Sequence, residues 1–112
     1  AVIFITHDFG IVAWMCDRVA VKYAGKIVEM AKVRDIFNHP VHPYTVALIK
    51  SVPKVETKEE KLPTLEGLPP PLYALPAGCS FAPRCDKTEK KCENQPPEVE
   101  VEDGHWVRCW RY

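Results

Sequence analysis

Spacing between apolar positions changes three times along this chain, and each change marks an element. "AVIFITHD" opens with six apolar or β-branched residues and no alternation, the pattern of a strand covered on both faces, and leaves His7 and Asp8 at its exit. Polar side chains at the carboxyl ends of parallel strands are where open α/β sheets bind ligands, although Thr6 or Asp8 would equally serve to cap a following helix. From Phe9 the spacing is helical: Phe9, Val12, Ala13 and Cys16 share a face with Ile11 and Met15 beside it, Trp14 falls off the arc, and Asp17 ends it. "RVAVKYAGKIVEM" then predicts two strands, 18–23 and 26–30, joined by an Ala-Gly turn suited to a hairpin. A chain that opens directly on a buried-strand pattern is expected to be a piece of a longer one, and an uncovered strand of this kind is expected to self-associate.

"VRDIFNHPVHPYTVALIKSVP" supplies a short helical turn, two His-Pro steps and a helix from about Pro43 to Lys50, with proline at its first position and Pro53 stopping the pattern. Beyond Ser51 the composition shifts. Nine of the eleven prolines lie between Pro53 and Pro97, and the charge run "KVETKEEK" precedes "PPPLYALP", so this half reads as linker and irregular structure. Such a segment buries too little apolar area to offset its ordering entropy and calls for a staple.

Four of the five cysteines fall there: Cys79, Cys85, Cys92 and Cys109, spaced C-x5-C-x6-C-x16-C. Four thiols on a thin core point to a metal-stapled module, with two disulfides as the alternative, unusual in a cytosolic chain. Structural zinc favours close C-x2-4-C knuckles, which are absent, while a four-iron cluster accepts wider loops; spacing leaves both open. Cys16, on the apolar face of the first helix, reads as core. His39 and His42 precede prolines, where capping or packing is commoner than ligation, and His105 is unnecessary as a ligand beside four cysteines.

Charge weighs against one class. Fifteen basic and fifteen acidic residues balance over the chain, and residues 51–112 carry nine basic against eleven acidic, without the excess a nucleic-acid binder needs. No stretch approaches about eighteen consecutive apolar residues, and the first residues lack the features of a signal peptide, so a cytosolic location is expected.

"ITHDFGIVAWMCDRVAVKYAGKIVE" resembles the switch-histidine region and following strands of ABC transporter ATPases. "HPVHPYTVALIKSVP" and "GLPPPLYALPAGCSFAPRCDKTEKKC" are similar to the carboxyl-terminal extension of the oligopeptide/dipeptide importer branch. THD is common to many ABC ATPases, whereas HPYT with P-x-G-C-x-F-x-P-R-C is specific to the peptide importers. Phe9, Trp14 and "EMAKVRDIF" depart from the usual pattern at positions outside the chemistry.

The resemblance implies an α/β fragment, the end of an ABC ATPase nucleotide-binding domain, followed by a mostly irregular, metal-stapled carboxyl-terminal extension. Its expected parts are 1–32 (switch strand, helix, hairpin), 33–53 (helical connector), 54–75 (linker) and 76–112 (four-cysteine extension). It implies that His7 reaches the γ-phosphate of ATP as catalytic and nucleotide-binding residue, and that Cys79, Cys85, Cys92 and Cys109 hold a [4Fe-4S] cluster, with zinc as the alternative. The phosphate loop, signature sequence and Walker B acid do not occur in these residues, so ATP and Mg²⁺ are expected only in an intact parent. Expected partners are a second ATPase subunit and transmembrane permease subunits, at the inner face of the cell membrane and with no nucleic acid. Two rival readings are a metal-stapled protein-interaction module and a zinc-bearing nucleic-acid module.

Overall fold

The computed structural model describes residues 1–52 and 65–112; Pro53, the charge run and Pro63 lie outside the described residues. Asp8 begins the first helix, α1 (Phe9–Met15): its Oδ1 accepts from the N–H groups of Gly10 at 2.9 Å and Ile11 at 3.2 Å, satisfying donors a helix start leaves open. Phe9 meets Phe37 edge-on, with centroids 6.0 Å apart, and Trp14 is 86 % exposed, as its place off the apolar arc predicts. Cys16 is only half-buried at the end of α1, not in the core where its helical face would put it.

Strands β1 (Arg18–Tyr23) and β2 (Lys26–Lys32) pair antiparallel through a two-residue turn in which Ala24 has φ 46° and Gly25 φ 81°, the twist a tight hairpin turn requires. Helix α2 (Val33–Asn38) follows, then α3 (Pro43–Lys50), where the sequence places them. Far along the chain β3 (Glu98–Glu102) and β4 (His105–Arg108) form a second hairpin, and β4 pairs with β2 at Glu29↔Val107 and Met30↔Trp106. The sheet is antiparallel throughout, in the order β1-β2-β4-β3.

Two further expectations change. Residues 1–6 form no strand: Val2 and Ile5 are 90 % and 94 % exposed, and no strand of the described residues pairs with them. A strand exists only through its ladder, and the apolar run records what this segment can bury, not that a neighbour is present. Residues 76–112 are also more regular than expected. Two 3-10 turns, Ala82–Arg84 and Lys90–Glu93, precede the hairpin, so the extension is not held by its cysteines alone and the metal-stapled architecture does not stand as the account of its order. "EVEVEDGHWVR" alternates with period two around an Asp-Gly turn, a signal the surrounding prolines obscure.

The core joins both halves. Val21, Tyr23, Val28, Ala31 and Ile36 pack with Phe81 from the extension. Phe81 is 2 % exposed and sits 5.2 Å from the Tyr23 ring and 5.4 Å from the Tyr44 ring, while Tyr23 and Tyr44 are 4.6 Å apart. Burying a side chain of this size stabilises by about 1.5–3 kcal/mol, enough to dock the loop that carries it. No helix among the described residues is long and apolar enough to cross a membrane.

Candidate metal centre

The segment from Pro40 to Tyr44 has only three backbone N–H groups, because two of its residues are prolines. All three are satisfied. Val41 N–H donates to Glu29 Oε1 at 2.9 Å, His42 N–H to Glu29 Oε2 at 3.0 Å, and Tyr44 N–H to His42 Nδ1 at 3.0 Å. His42 therefore caps α3, the structural role that its place before proline suggests, and His39 ends α2 through its backbone N–H to Asp35. Desolvation lowers the His42 pKa to about 4, against the opposing pull of the Glu29 charge, so its ring is neutral near pH 7.

Glu29 takes a further donor from the extension. His105 Nε2 meets Glu29 Oε1 at 2.6 Å, and both residues are 1 % exposed. One buried carboxylate thus joins β2, the start of α3 and β4. Sequence reasoning misses this pair. Its only local signal is a single acid in the apolar run "KIVEMA", which calls for a buried partner without saying where that partner lies.

The cysteine loops are positioned by close backbone contact and by side chains reaching back to the sheet. A Cβ on Gly78 would stand 2.2 Å from the Cys92 carbonyl oxygen, so only glycine fits there, and Cys79 N–H donates to that same oxygen at 2.9 Å. Gln95 Nε2 donates to the Ala77 and Gly78 carbonyls, and Trp110 Nε1 to the Asn94 carbonyl. Arg84 lies 5.8 Å from the Tyr23 ring centre and donates to the Tyr23 hydroxyl and the Glu66 carbonyl.

Cys79, Cys85, Cys92 and Cys109, the four cysteines expected to act together, line one cleft with His42, Phe81 and Trp110 among its walls. All are free thiols. Burial pushes the Cys79 thiol up; backbone N–H groups of Phe81 and Ala82 offset this, and the neighbouring Cys92 and Cys85 add to it. Burial likewise raises Cys109, with the Arg111 N–H opposing and the other three sulfurs reinforcing. Cys85 Sγ accepts from Lys87 N–H at 3.4 Å. Peptide donors are therefore aimed at three of the four sulfurs. Among the described residues, no group of three or more His, Cys, Asp or Glu side chains is placed to hold a single metal ion. His7 is not part of this cleft; it lies exposed at the bend before α1, where Asp8 N–H donates to Thr6 Oγ1 at 3.0 Å.

Fold and site together define an α/β unit with a cysteine-bearing extension docked on its sheet through an HPY connector. Residues 28–92 match the family described as oligopeptide/dipeptide transporter, C-terminal region, and the chain belongs to that family. It is 43 % identical over 111 residues to the oligopeptide transport ATP-binding protein OppD of Salmonella typhimurium, covering 99 % of this chain and 33 % of that protein. It is 45 % identical over 111 residues to the dipeptide transport ATP-binding protein DppD of Bacillus subtilis, covering 98 % and 33 %. With the probable peptide ABC transporter ATP-binding protein y4tR of Sinorhizobium fredii it shares 48 % identity over 113 residues, 99 % and 34 % of the two chains. The chain spans about a third of the length of these relatives.

Proposed function

We propose that these residues are the carboxyl-terminal part of the ATP-binding subunit of an ABC importer for oligopeptides or dipeptides, with Cys79, Cys85, Cys92 and Cys109 holding a [4Fe-4S] cluster. The observation that carries the reading is the match of residues 28–92 to the peptide-transporter family, supported by relatives named as peptide transport ATP-binding proteins. In the whole subunit, His7 hydrogen-bonds the γ-phosphate and helps orient attacking water, while Asp8 holds the start of α1 and so the loop carrying His7. The Mg²⁺ ligands and general base belong to other parts of the subunit. The subunit works with a second ATPase and with transmembrane permease subunits, peripheral to the cytoplasmic face of the membrane.

Four soft donors around one cleft, with peptide N–H groups aimed at three of them, fit a thiolate-held iron–sulfur group in chemistry. Tetrahedral zinc on the same four thiols is the alternative, each sulfur then lying about 2.3 Å from the ion. When bound, such a group supplies a covalent cross-link between the loops and one-electron redox capacity.

Replacing His7 by Ala in the full-length subunit is expected to cut ATP turnover about a hundredfold or more, with nucleotide affinity less affected. Steady-state turnover beside nucleotide titration checks this, and unchanged turnover removes His7 from the mechanism. Iron, sulfide and zinc content of anaerobically purified protein decides the cluster.

A further inference from the structure

His42 serves more than the helix it caps. Its Nδ1 is occupied in accepting the Tyr44 N–H, so the neutral ring carries its proton on Nε2. The residue is 1 % exposed and is the one histidine among the described residues that walls the four-cysteine cleft. Nε2–H makes no hydrogen bond to any other described residue, while Glu29 fixes the backbone on which the ring stands by accepting the His42 N–H.

We infer that His42 Nε2–H is a hydrogen-bond donor to a sulfur of the group held by Cys79, Cys85, Cys92 and Cys109, and that it sets the reduction potential of that group. The inference rests on the iron–sulfur reading above. The start of α3 then does more than cap a helix, because the connector between β2 and the extension touches the metal centre through one imidazole. A donor to a cluster sulfur favours the reduced, more negative form, so its removal makes reduction harder.

The test uses the full-length protein purified anaerobically, unaltered and as His42→Asn. Asparagine is a preferred N-cap and can still accept the Tyr44 N–H, but it is too short to place a donor where Nε2 stands. With iron and sulfide content unchanged, His42→Asn is expected to lower the reduced-to-oxidised ratio at a fixed potential about tenfold, a downward shift of about 59 mV for one electron. Pulsed electron paramagnetic resonance of the reduced, ¹⁵N-histidine-labelled unaltered protein is expected to show one weakly coupled histidine nitrogen and an exchangeable proton.

Equal potentials with full iron content, or no histidine coupling in the unaltered protein, overturns the role of His42 while leaving the cluster in place. If His42→Asn fails to load iron, the coupling in the unaltered protein decides: present, it supports the inference; absent, it overturns it. Unaltered protein without iron and acid-labile sulfide overturns the cluster reading itself, and the inference with it.

Discussion

Glu29 accepts from two peptide N–H groups and from His105 while fully buried, so removing its charge leaves donors that water cannot reach. Glu29→Gln keeps the shape but turns an amide N–H toward one of those donors. It is expected to cost about 3 kcal/mol, read as a lower denaturation midpoint in urea at pH 7; a loss under about 1 kcal/mol would mean that the clamp is unimportant. Gly78 is the other residue with no substitute. Gly78→Ala forces a Cβ against the Cys92 and Glu93 backbone, and it is expected to cost about 2–3 kcal/mol and to lower iron uptake by parting Cys79 from Cys92. Metal content and unfolding of the same preparation check both effects. The two residues differ in how they can be read beforehand. Gly78 stands inside the recognisable P-x-G-C stretch, whereas the partners of Glu29 lie at Val41, His42 and His105, and no local spacing points to them.

Among the elements, α3 carries a pH dependence. The folded His42 pKa of about 4 lies below its ordinary 6.5, so the unfolded chain takes up this proton first as pH falls. Its contribution is therefore complete above about pH 6.5, is lost progressively toward pH 4, and amounts to at most about 3 kcal/mol. Once protonated, Nδ1 can no longer accept the Tyr44 N–H, and the cap fails with it; the Glu29 carboxylate is the charge that moderates the shift. Urea midpoints between pH 4 and 7 are expected to fall more steeply for the unaltered chain than for His42→Asn, and parallel curves would rule out His42 as the cause. Elements with signals inside their own span are legible in advance. The Asp8 cap, the Ala24-Gly25 turn and Pro43 at the start of α3 each act within a few residues, and α1, the first hairpin and α3 fall where those signals put them. The opening apolar run reads as a strand and is not one, because pairing is a property of neighbours. The β3–β4 hairpin escapes a sequence reading because proline density outweighs its alternation.

Several ties hold the two halves together, among them β4 on β2 with the Glu29–His105 pair, Phe81 in the aromatic core, and Arg84 on Tyr23. Changing any one of Cys79, Cys85, Cys92 or Cys109 to serine is therefore expected to lower metal content yet leave the four-stranded sheet intact, with circular dichroism and slow amide exchange in β2 and β4 retained. Collapse of the sheet together with metal loss would show instead that the cysteines hold the extension in place. The ties also impose an order on synthesis. Glu29 and His105 are 76 residues apart, so at about 5–20 residues per second the ribosome works for about 4–15 s before the second strand receives its outer neighbour. During that interval the edge of β2 is open to pairing with other nascent chains, and the carboxylate waits in water. Cys109 directly follows Arg108, the last residue of β4, so the fourth thiol arrives together with the strand that closes this edge.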